Sequence, residues 1–259
     1  MDSFDKKSKY LSVSGLTLSY EGETIIQNLD FHLAKNEFVS LLGPSGVGKS
    51  TLLKSLAGIL AMDKGQILLD GQAPASKRMN FAYMPQSDLL FPWMTVYENV
   101  GLYDRLHPSD KQHSKKEVLD LLELFGLGGY EYSLPENLSG GMRQRAAFLR
   151  TILCPADIFL LDEPFGALDV ITRNHLQDWL LDLRATLKRS ILLVTHDLEE
   201  AIYLSDRILL LEGRPASLAE EYHIITPTEE RSRDWLFKQH DLKAELYKRL
   251  EADSYFTFS

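Results

Sequence analysis

The sequence predicts an α/β protein that has a central, mainly parallel sheet, an N-terminal antiparallel β subdomain and an inserted helical subdomain. Four short apolar runs have the length and composition of strands buried on both faces, and helical patterns separate them. Residues 10–40 instead alternate apolar and polar side chains, which is typical of antiparallel strands. Between two of the apolar runs lies a long stretch that has a helical pattern but no comparable strand run.

The antiparallel strands come first along the chain, as short stretches around Gly15 and Gly22, because glycine marks turns between alternating segments. The four buried strands follow, at residues 38–42, 158–161, 191–194 and 208–211. Together these four runs predict the central parallel sheet.

Helical patterns fill the intervals between the strands. Residues 87–155 predict the inserted helical subdomain, in which apolar residues recur at helical spacing from Val118 onward. Residues 229–251 predict one or two amphipathic helices near the C-terminus. We therefore divide the chain into a main domain at 8–222 and a C-terminal helical extension at 223–259.

Composition limits the kind of protein that this chain can be. The net charge of -9 over 259 residues repels polyanions, so we do not expect nucleic acid as a partner. Cys154 is the only cysteine, which excludes an internal disulfide and fits a reducing compartment. The N-terminus lacks the apolar stretch of a secretory signal, and the apolar runs fall far short of the roughly 20 residues that span a bilayer. Any membrane function therefore requires a partner.

Six of the seven histidines show no metal-ligand spacing, and we interpret them as surface or core residues; the seventh, His196, is discussed below. The six are His32, His107, His113, His175, His223 and His240.

The strongest motif is a glycine-rich loop that follows the first buried strand and precedes an amphipathic helix. Glycines let several backbone N–H groups converge on phosphate oxygens, and the helix N-terminus adds positive potential. Lys49 is expected to reach the β- and γ-phosphates, and Ser50 to bind Mg²⁺ through its hydroxyl. The alternative is a glycine-rich turn with an incidental lysine. The predicted nucleotide-binding residues are Gly43, Pro44, Ser45, Gly46, Val47, Gly48, Lys49, Ser50 and Thr51.

A second motif is the pair of carboxylates that ends the strand at 158–161. Asp162 is expected to bind Mg²⁺, and Glu163 to orient and polarise an attacking water. Alone, such a pair is more often a solvated strand end or a helix cap. Combined with the glycine-rich loop, it indicates a P-loop NTPase core, a class that includes kinases, GTPases, helicases and motors.

A third motif, Leu-Ser-Gly-Gly-Met-Arg-Gln-Arg, distinguishes among these classes. Ser139, Gly140 and Gly141 place a hydroxyl and two flexible amides at a helix start, which forms a second anion-binding surface. The first four residues alone would favour a serine-capped helix. With Met-Arg-Gln-Arg and the acidic strand after it, the motif resembles the signature of the ATP-binding cassette (ABC) family.

The resemblance implies roles for four further residues. Tyr20 resembles the aromatic residue that stacks on adenine, and Gln86 the glutamine that couples Mg²⁺ and water to the membrane partner. Asp169 resembles the D-loop aspartate beside the nucleotide, and His196 the switch histidine that contacts the γ-phosphate. Outside this set of motifs Gln86 would be a loop glutamine and His196 a helix-start residue. Tyr20 is equally compatible with packing on the core.

In this family two copies bind head to tail, so that the phosphate loop of one and the signature of the other enclose each ATP. The resemblance therefore implies ATP and Mg²⁺, a homodimer, multispanning permease subunits and, indirectly, an extracytoplasmic solute-binding protein. It places the chain on the cytoplasmic face of the membrane as a peripheral subunit. The motifs look like those of nitrate, sulfonate, taurine and pyrimidine-precursor importers. Phe91 and Trp93, after Gln86, are either core residues or a surface for the membrane subunit.

Three alternatives remain open from the sequence. A non-transport ABC ATPase of DNA repair or translation usually has two cassettes or a long coiled coil, and the sequence shows neither. A P-loop kinase or GTPase would lack the signature, and a GTPase would carry an Asn-Lys-x-Asp guanine-binding motif, which the sequence does not contain. An exporter commonly has its membrane spans in the same chain.

Overall fold

The computed structural model describes residues 9–74 and 80–254, and in them the predicted fold class is confirmed. The predicted domain limits at residues 8 and 259 lie outside the described residues, and the division near residue 222 stays a prediction. Across the described part of the chain, every helix is too short or too polar to cross a membrane.

The strands are β1 (Lys9–Tyr20), β2 (Glu23–Ala34), β3 (Phe38–Leu42), β4 (Lys64–Leu69), β5 (Phe81–Met84), β6 (Ile158–Asp162), β7 (Ser190–Val194), β8 (Arg207–Glu212) and β9 (Ser217–His223). The helices are α1 (Lys49–Leu56), α2 (Val96–Val100), α3 (Leu102–Leu106), α4 (Lys115–Leu124), α5 (Gly140–Ile152), α6 (Val170–Leu187), α7 (Leu198–Leu204), α8 (Arg233–Phe237) and α9 (His240–Ser254). Short 3-10 turns lie at Pro108–Asp110, Pro135–Asn137 and Thr228–Glu230.

The N-terminal subdomain is a three-stranded antiparallel sheet in the order β2-β1-β4. Its hairpin turns at Glu21 and Gly22, whose positive φ angles of 53° and 86° suit a two-residue turn between twisted strands. The prediction of short strands around Gly15 was wrong. The residue has φ 59° and lies in a register shift between Val13 and Leu16, so that β1 continues through it as one strand of 12 residues.

The central sheet has six strands in the order β5-β6-β7-β3-β8-β9. All neighbouring pairs are parallel except β8 and β9, and the four predicted strands occupy its middle. Strands β4, β5 and β9 were not predicted. β5 has only four residues, and β9 is a polar edge strand whose sequence contains two glutamates.

The central sheet separates two hydrophobic cores, as the alternation of side chains along β6 shows. Ile158 and Leu160 face the core shared with the N-terminal sheet and α1. Phe159 and Leu161 face the core shared with α5, α6 and α7. Leu236 of α8 and Leu246 of α9 are buried in the second core, so that the C-terminal helices belong to the packed body of the protein.

The helical subdomain comprises α2 to α5 and is inserted between β5 and β6. Its last helix, α5, packs back onto the sheet domain through aromatic contacts. The ring centroids of Phe148 and Phe165 are 5.5 Å apart, and Trp179 of α6 lies edge-on to Phe148 at 6.2 Å. The start of α5, where the signature lies, is therefore held in a defined position relative to the end of β6.

Candidate nucleotide-binding site

The glycine-rich loop connects β3 to α1 and is shaped by positive φ angles at Gly46 (78°) and Gly48 (112°). A Cβ atom on Gly48 would lie 2.6 Å from the Cγ2 atom of Ile25, so a side chain there would be strained in conformation and would clash. A Cβ atom on Gly43 would lie 2.7 Å from the carbonyl oxygen of Leu211. The glycines at these positions therefore meet a steric requirement of the loop.

Lys49 begins α1 and folds back beneath the loop. Its Nζ atom donates hydrogen bonds to the carbonyl oxygens of Gly43 at 2.6 Å and Pro44 at 2.9 Å. Burial lowers the pKa of the ammonium group, and the negative charges of Glu163 and Asp162 oppose this shift. The loop thus surrounds a buried, desolvated cation, as a site for phosphate groups requires.

Asp162, at the end of β6, accepts hydrogen bonds from two hydroxyls. The Oγ atom of Ser50 donates to Oδ1 at 2.9 Å, and the hydroxyl of Tyr83 donates to Oδ2 at 3.3 Å. Burial raises the pKa of Asp162, and these two hydrogen bonds oppose that shift. Burial and the neighbouring Asp162 likewise raise the pKa of Tyr83.

The pairing of Ser50 with Asp162 fits Mg²⁺, which prefers oxygen ligands and usually binds to one or two protein groups together with phosphates and water. A site made of protein ligands alone would need more of them. Across residues 9–74 and 80–254, His, Cys, Asp and Glu form no cluster of three or more that could hold a metal.

Glu163 brings two other predicted site residues together. Its Oε2 atom accepts a hydrogen bond from the Nε2 atom of Gln86 at 3.0 Å, and its Oε1 atom lies 3.0 Å from Nδ1 of His196. Glu163 has φ 49°, an uncommon value for a residue with a side chain, and its N–H donates to the carbonyl oxygen of Val194 at 2.9 Å. The end of β7 thus helps to hold the backbone that directs this carboxylate.

The residues of the signature form the start of α5. Ser139 caps the helix by accepting a hydrogen bond from the N–H of Met142 at 3.2 Å, and both Ser139 and Gly140 are exposed. Asp169 plays the same part at α6, where it accepts from the N–H of Thr172 at 3.0 Å, and this hydrogen bond lowers its pKa. Ser139 thus has the capping contact that its alternative interpretation predicts, and both helix starts are open to solvent.

The rest of the signature anchors α5 to its surroundings. The Nε atom of Arg143 donates a hydrogen bond to Oδ2 of Asp88 at 2.9 Å. Asp88 is two residues after Gln86 in the chain. Gln144 donates a hydrogen bond to the carbonyl oxygen of Pro164, the residue after Glu163, at 3.2 Å. These contacts connect the signature helix to the segment that carries Gln86 and to the segment that carries Glu163.

Tyr20 ends β1 with 56% of its surface exposed, so it does not pack into the core. Its role as an adenine-stacking residue stays a prediction.

The segment after Gln86 divides into core and surface. Leu90 and Val96 are buried, whereas Leu89 and Trp93 are 62% and 69% exposed. The buried side chain of Asn99 fixes this segment, because it bonds to the N–H and C=O groups of residue 91 and to the carbonyl oxygens of residues 94 and 95. An apolar surface is therefore held rigidly beside Gln86.

Two residues with contacts in the site were missed by sequence reasoning. Tyr83 lies on β5, and recognition of that strand would have placed it next to β6 and Asp162. Arg173 of α6 donates to Oδ2 of Asp197 at 3.3 Å and to the carbonyl oxygen of Leu168 at 3.2 Å. It thus connects the residue after His196 with the residue before Asp169.

Comparison with known proteins points in one direction. The model of the ABC transporter family matches residues 26–166. The aliphatic sulfonates import ATP-binding protein SsuB of Bacillus cereus (strain ATCC 10987 / NRS 248) is 43% identical over 218 residues, which are 83% of this chain and 83% of that protein. The formylaminopyrimidine import ATP-binding protein ThiZ of Halalkalibacterium halodurans is 37% identical over 243 residues, which are 93% of this chain and 95% of that protein.

A solved structure gives the same result. The dimeric post-hydrolysis state of the ATP-binding cassette MJ0796, bound to ADP and Pi, superimposes with a TM-score of 0.73 at 25% sequence identity. The match covers 84% of this chain and 100% of that chain.

Proposed function

This chain belongs to the ABC transporter family, and from that membership we propose that it is the ATP-hydrolysing subunit of an importer. It hydrolyses ATP in a dimer and drives uptake of a small solute through separate membrane subunits. The observation that carries this proposal is the meeting of Gln86, Glu163 and His196 beside the loop that surrounds Lys49. The import names of the relatives favour a transport function over the DNA-repair or translation alternative.

Nucleotide binding is assigned to the loop and the residues that follow it. Lys49 exchanges its contacts with the loop carbonyls for the β- and γ-phosphates, and the N–H groups of the loop bind the remaining phosphate oxygens. Ser50 and Asp162 would hold Mg²⁺, with Gln86 at its edge. The ion, when bound, neutralises charge on the phosphates. Tyr20 offers an exposed ring for the adenine.

Hydrolysis is assigned to Glu163. Its carboxylate orients a water for attack on the γ-phosphate and accepts the proton that the water releases. Gln86 and His196 fix the carboxylate from two sides, which reduces the positions that it can adopt before the reaction. His196 is well placed to exchange its contact with Glu163 for the γ-phosphate and so to respond to the loss of that group.

A second copy completes the site. Ser139, Gly140 and Gly141 lie at the solvent-exposed start of a helix of 13 residues, where free N–H groups favour an anion. In the dimer these groups bind the γ-phosphate held by the loop of the other copy, and Asp169 lies at the same junction. Removal of the γ-phosphate then releases the contact between the copies.

The membrane partner docks beside Gln86, on the surface that includes Leu89 and Trp93. The guanidinium group of Arg150 holds this surface by donating to the carbonyl oxygens of Asp88 at 2.9 Å and Leu89 at 2.8 Å. A movement of the docked helix thus reaches Gln86, and through it Glu163. The chain is then a peripheral subunit at the cytoplasmic face, and an extracytoplasmic protein delivers the solute.

The test is purification of the tagged chain from membranes of its own organism, followed by assay of ATP-dependent uptake in reconstituted vesicles. We expect a multispanning membrane protein to co-purify, and aliphatic sulfonates and formylaminopyrimidine are the first solutes to assay, because relatives are named for them. A chain that stays free of membrane proteins under these conditions, yet hydrolyses ATP, would contradict the importer function.

A further inference from the structure

Helix α7 follows His196 almost directly and has only seven residues. A helix of this length is marginal in water, so its position depends on what packs against it. Asp197 caps its start by accepting from the N–H groups of Glu199 at 2.9 Å and Glu200 at 3.2 Å. The backbone at residue 196 is therefore held between the end of β7 and the start of α7, and a shift of α7 moves it from one side.

The segment that leads into α8 binds the far end of α7. Arg231, whose side chain is almost fully buried, donates from Nη1 to the carbonyl oxygens of Tyr203 at 3.1 Å and Ser205 at 2.7 Å. The last carbonyl groups of a helix lack partners inside the helix, and a guanidinium group is well suited to bind them. This end of α7 is thereby fixed.

Helix α8 contacts the last turn of α7 directly through Arg233, and reaches its middle through Gln177. The Cζ atom of this residue lies 4.1 Å from the ring centroid of Tyr203. Its Nη1 atom donates to Oε1 of Gln177 at 3.0 Å, and the Nε2 atom of Gln177 donates to Oε1 of the buried Glu200 at 3.1 Å. One arginine of the C-terminal helices thus contacts α7 directly and also through α6.

Helix α9 binds the first turn of α7. The Nζ atom of Lys243 lies 2.7 Å from Oε1 of Glu199, and the lysine side chain is 20% exposed. Glu199 is three residues after His196 in the chain. Contacts from the C-terminal helices thus reach the near end of α7 as well as its middle and far end.

We propose that the C-terminal helices position His196 for ATP hydrolysis by fixing α7, and that Arg233 and Lys243 are positioning residues for this reaction. The inference rests on the proposed role of His196. Its physical basis is that small displacements of groups at a reacting centre lower the rate strongly, even when substrate binding is unchanged. Lys243 and Arg233 act through α7 and lie outside the nucleotide site.

The test compares variants of the full chain in steady-state hydrolysis of Mg-ATP. Lys243→Ala and Arg233→Ala should lower kcat by about three- to tenfold and leave KM for ATP unchanged within about twofold. Lys243→Arg should retain the normal rate, because it keeps the ion pair. The matched control is Arg249→Ala, which removes an ion pair of 2.6 Å from the same helix, but one with Glu220 of β9. It should leave both constants unchanged.

A second measurement repeats Lys243→Ala in a His196→Ala background. We expect no further loss of kcat there, since the group that Lys243 positions is gone. An equal loss in both backgrounds overturns this inference and leaves the proposed function intact, and so does a normal kcat for Lys243→Ala. Normal hydrolysis by His196→Ala alone overturns the proposed role of His196, and this inference with it. Because Lys243 lies at the surface, its variants test the idea even if Arg233→Ala fails to fold.

Discussion

Glu163 is the residue at which chain segments distant in sequence meet. It follows β6, contacts Gln86 after β5 and lies beside His196 after β7. Parallel strands end at the same edge of a sheet, so their C-terminal residues are brought together by topology. The left-handed backbone at Glu163 then directs the carboxylate between its two partners.

The buried carboxyl of Glu200 makes the stability of the protein depend on pH. Burial raises the pKa of its carboxyl to about 7, with hydrogen bonds from Thr195 and Gln177 in opposition. Between its unfolded value of 4.5 and about 7 the folded protein therefore binds more protons than the unfolded chain. Stability thus falls as pH rises through this window and stays reduced above it.

We predict that Glu200→Gln raises the free energy of unfolding more at pH 8 than at pH 5. The amide keeps an oxygen that can accept from Gln177, but it never has to be buried as an anion. The effect of the substitution on the free energy of unfolding should be more favourable at pH 8 than at pH 5 by on the order of 3 kcal/mol. This follows because each pH unit between pH 5 and the pKa contributes about 1.4 kcal/mol. Denaturant unfolding at the two pH values measures it.

The control for this prediction is Glu199→Gln, which removes the same charge from an exposed position in the same helix. Its effect on stability should be small and similar at both pH values. If Glu200→Gln gave equal changes in the free energy of unfolding at pH 5 and pH 8, the carboxyl would not be buried as described.

At the scale of elements, the sequence predicted those features that follow from local pattern. The four central strands are buried on both faces, so continuous apolar runs identified them. β5 and β9, the two edge strands, were missed because β5 has only four residues and β9 is polar. The phosphate loop was predicted because its glycines are required by local geometry.

Contacts between elements could not be predicted from the sequence. The resemblance identified Gln86 and His196, but not their contacts with Glu163. Arg173 and Arg233 carry no local signal, since arginines are common on helix surfaces and their partners depend on how the helices pack. Their roles became visible only with the positions of Asp197 and Gln177.

The phosphate loop gives a prediction at this scale. Gly48→Ala should weaken ATP binding at least about tenfold, because the new methyl group meets Ile25 and displaces the start of α1. Equilibrium titration with a fluorescent ATP analogue in the presence of Mg²⁺ measures the affinity.

The matched control is Gly58→Ala, at the other end of α1. Gly58 also has a positive φ, of 73°, but a Cβ atom there would have no neighbour within 4 Å. The Gly58→Ala substitution should lower the free energy of unfolding by about 1 kcal/mol and leave ATP affinity unchanged. Equal affinity in the Gly48→Ala and Gly58→Ala variants would show that the close contact with Ile25 does not shape the site.

In the whole molecule, the two parts of the proposed ATP site lie on different parts of one chain. The phosphate loop lies between β3 and α1, and the signature opens α5 of the helical subdomain. The contacts of Arg143 and Gln144 connect the signature helix to the segments around Glu163. In the proposed head-to-tail dimer, these contacts would link the site where a copy binds its own ATP to the site that its signature completes in the other copy.

The dependence of dimerisation on ATP is the most direct test of the proposed composite site. The variant Glu163→Gln should bind ATP but hydrolyse it very slowly, so that the closed state accumulates. Light scattering should then give twice the 29.5 kDa mass of one chain with saturating Mg-ATP, and the mass of one chain with Mg-ADP.

Adding Ser139→Arg to Glu163→Gln should give the mass of one chain even with saturating Mg-ATP, while the affinity for ATP stays within about threefold. Adding Leu124→Arg instead, at an exposed position of α4, should leave the dimer intact. A dimer that ATP closes through the signature is contradicted if Glu163→Gln remains a single chain at saturating ATP, or if Ser139→Arg leaves its dimer unchanged.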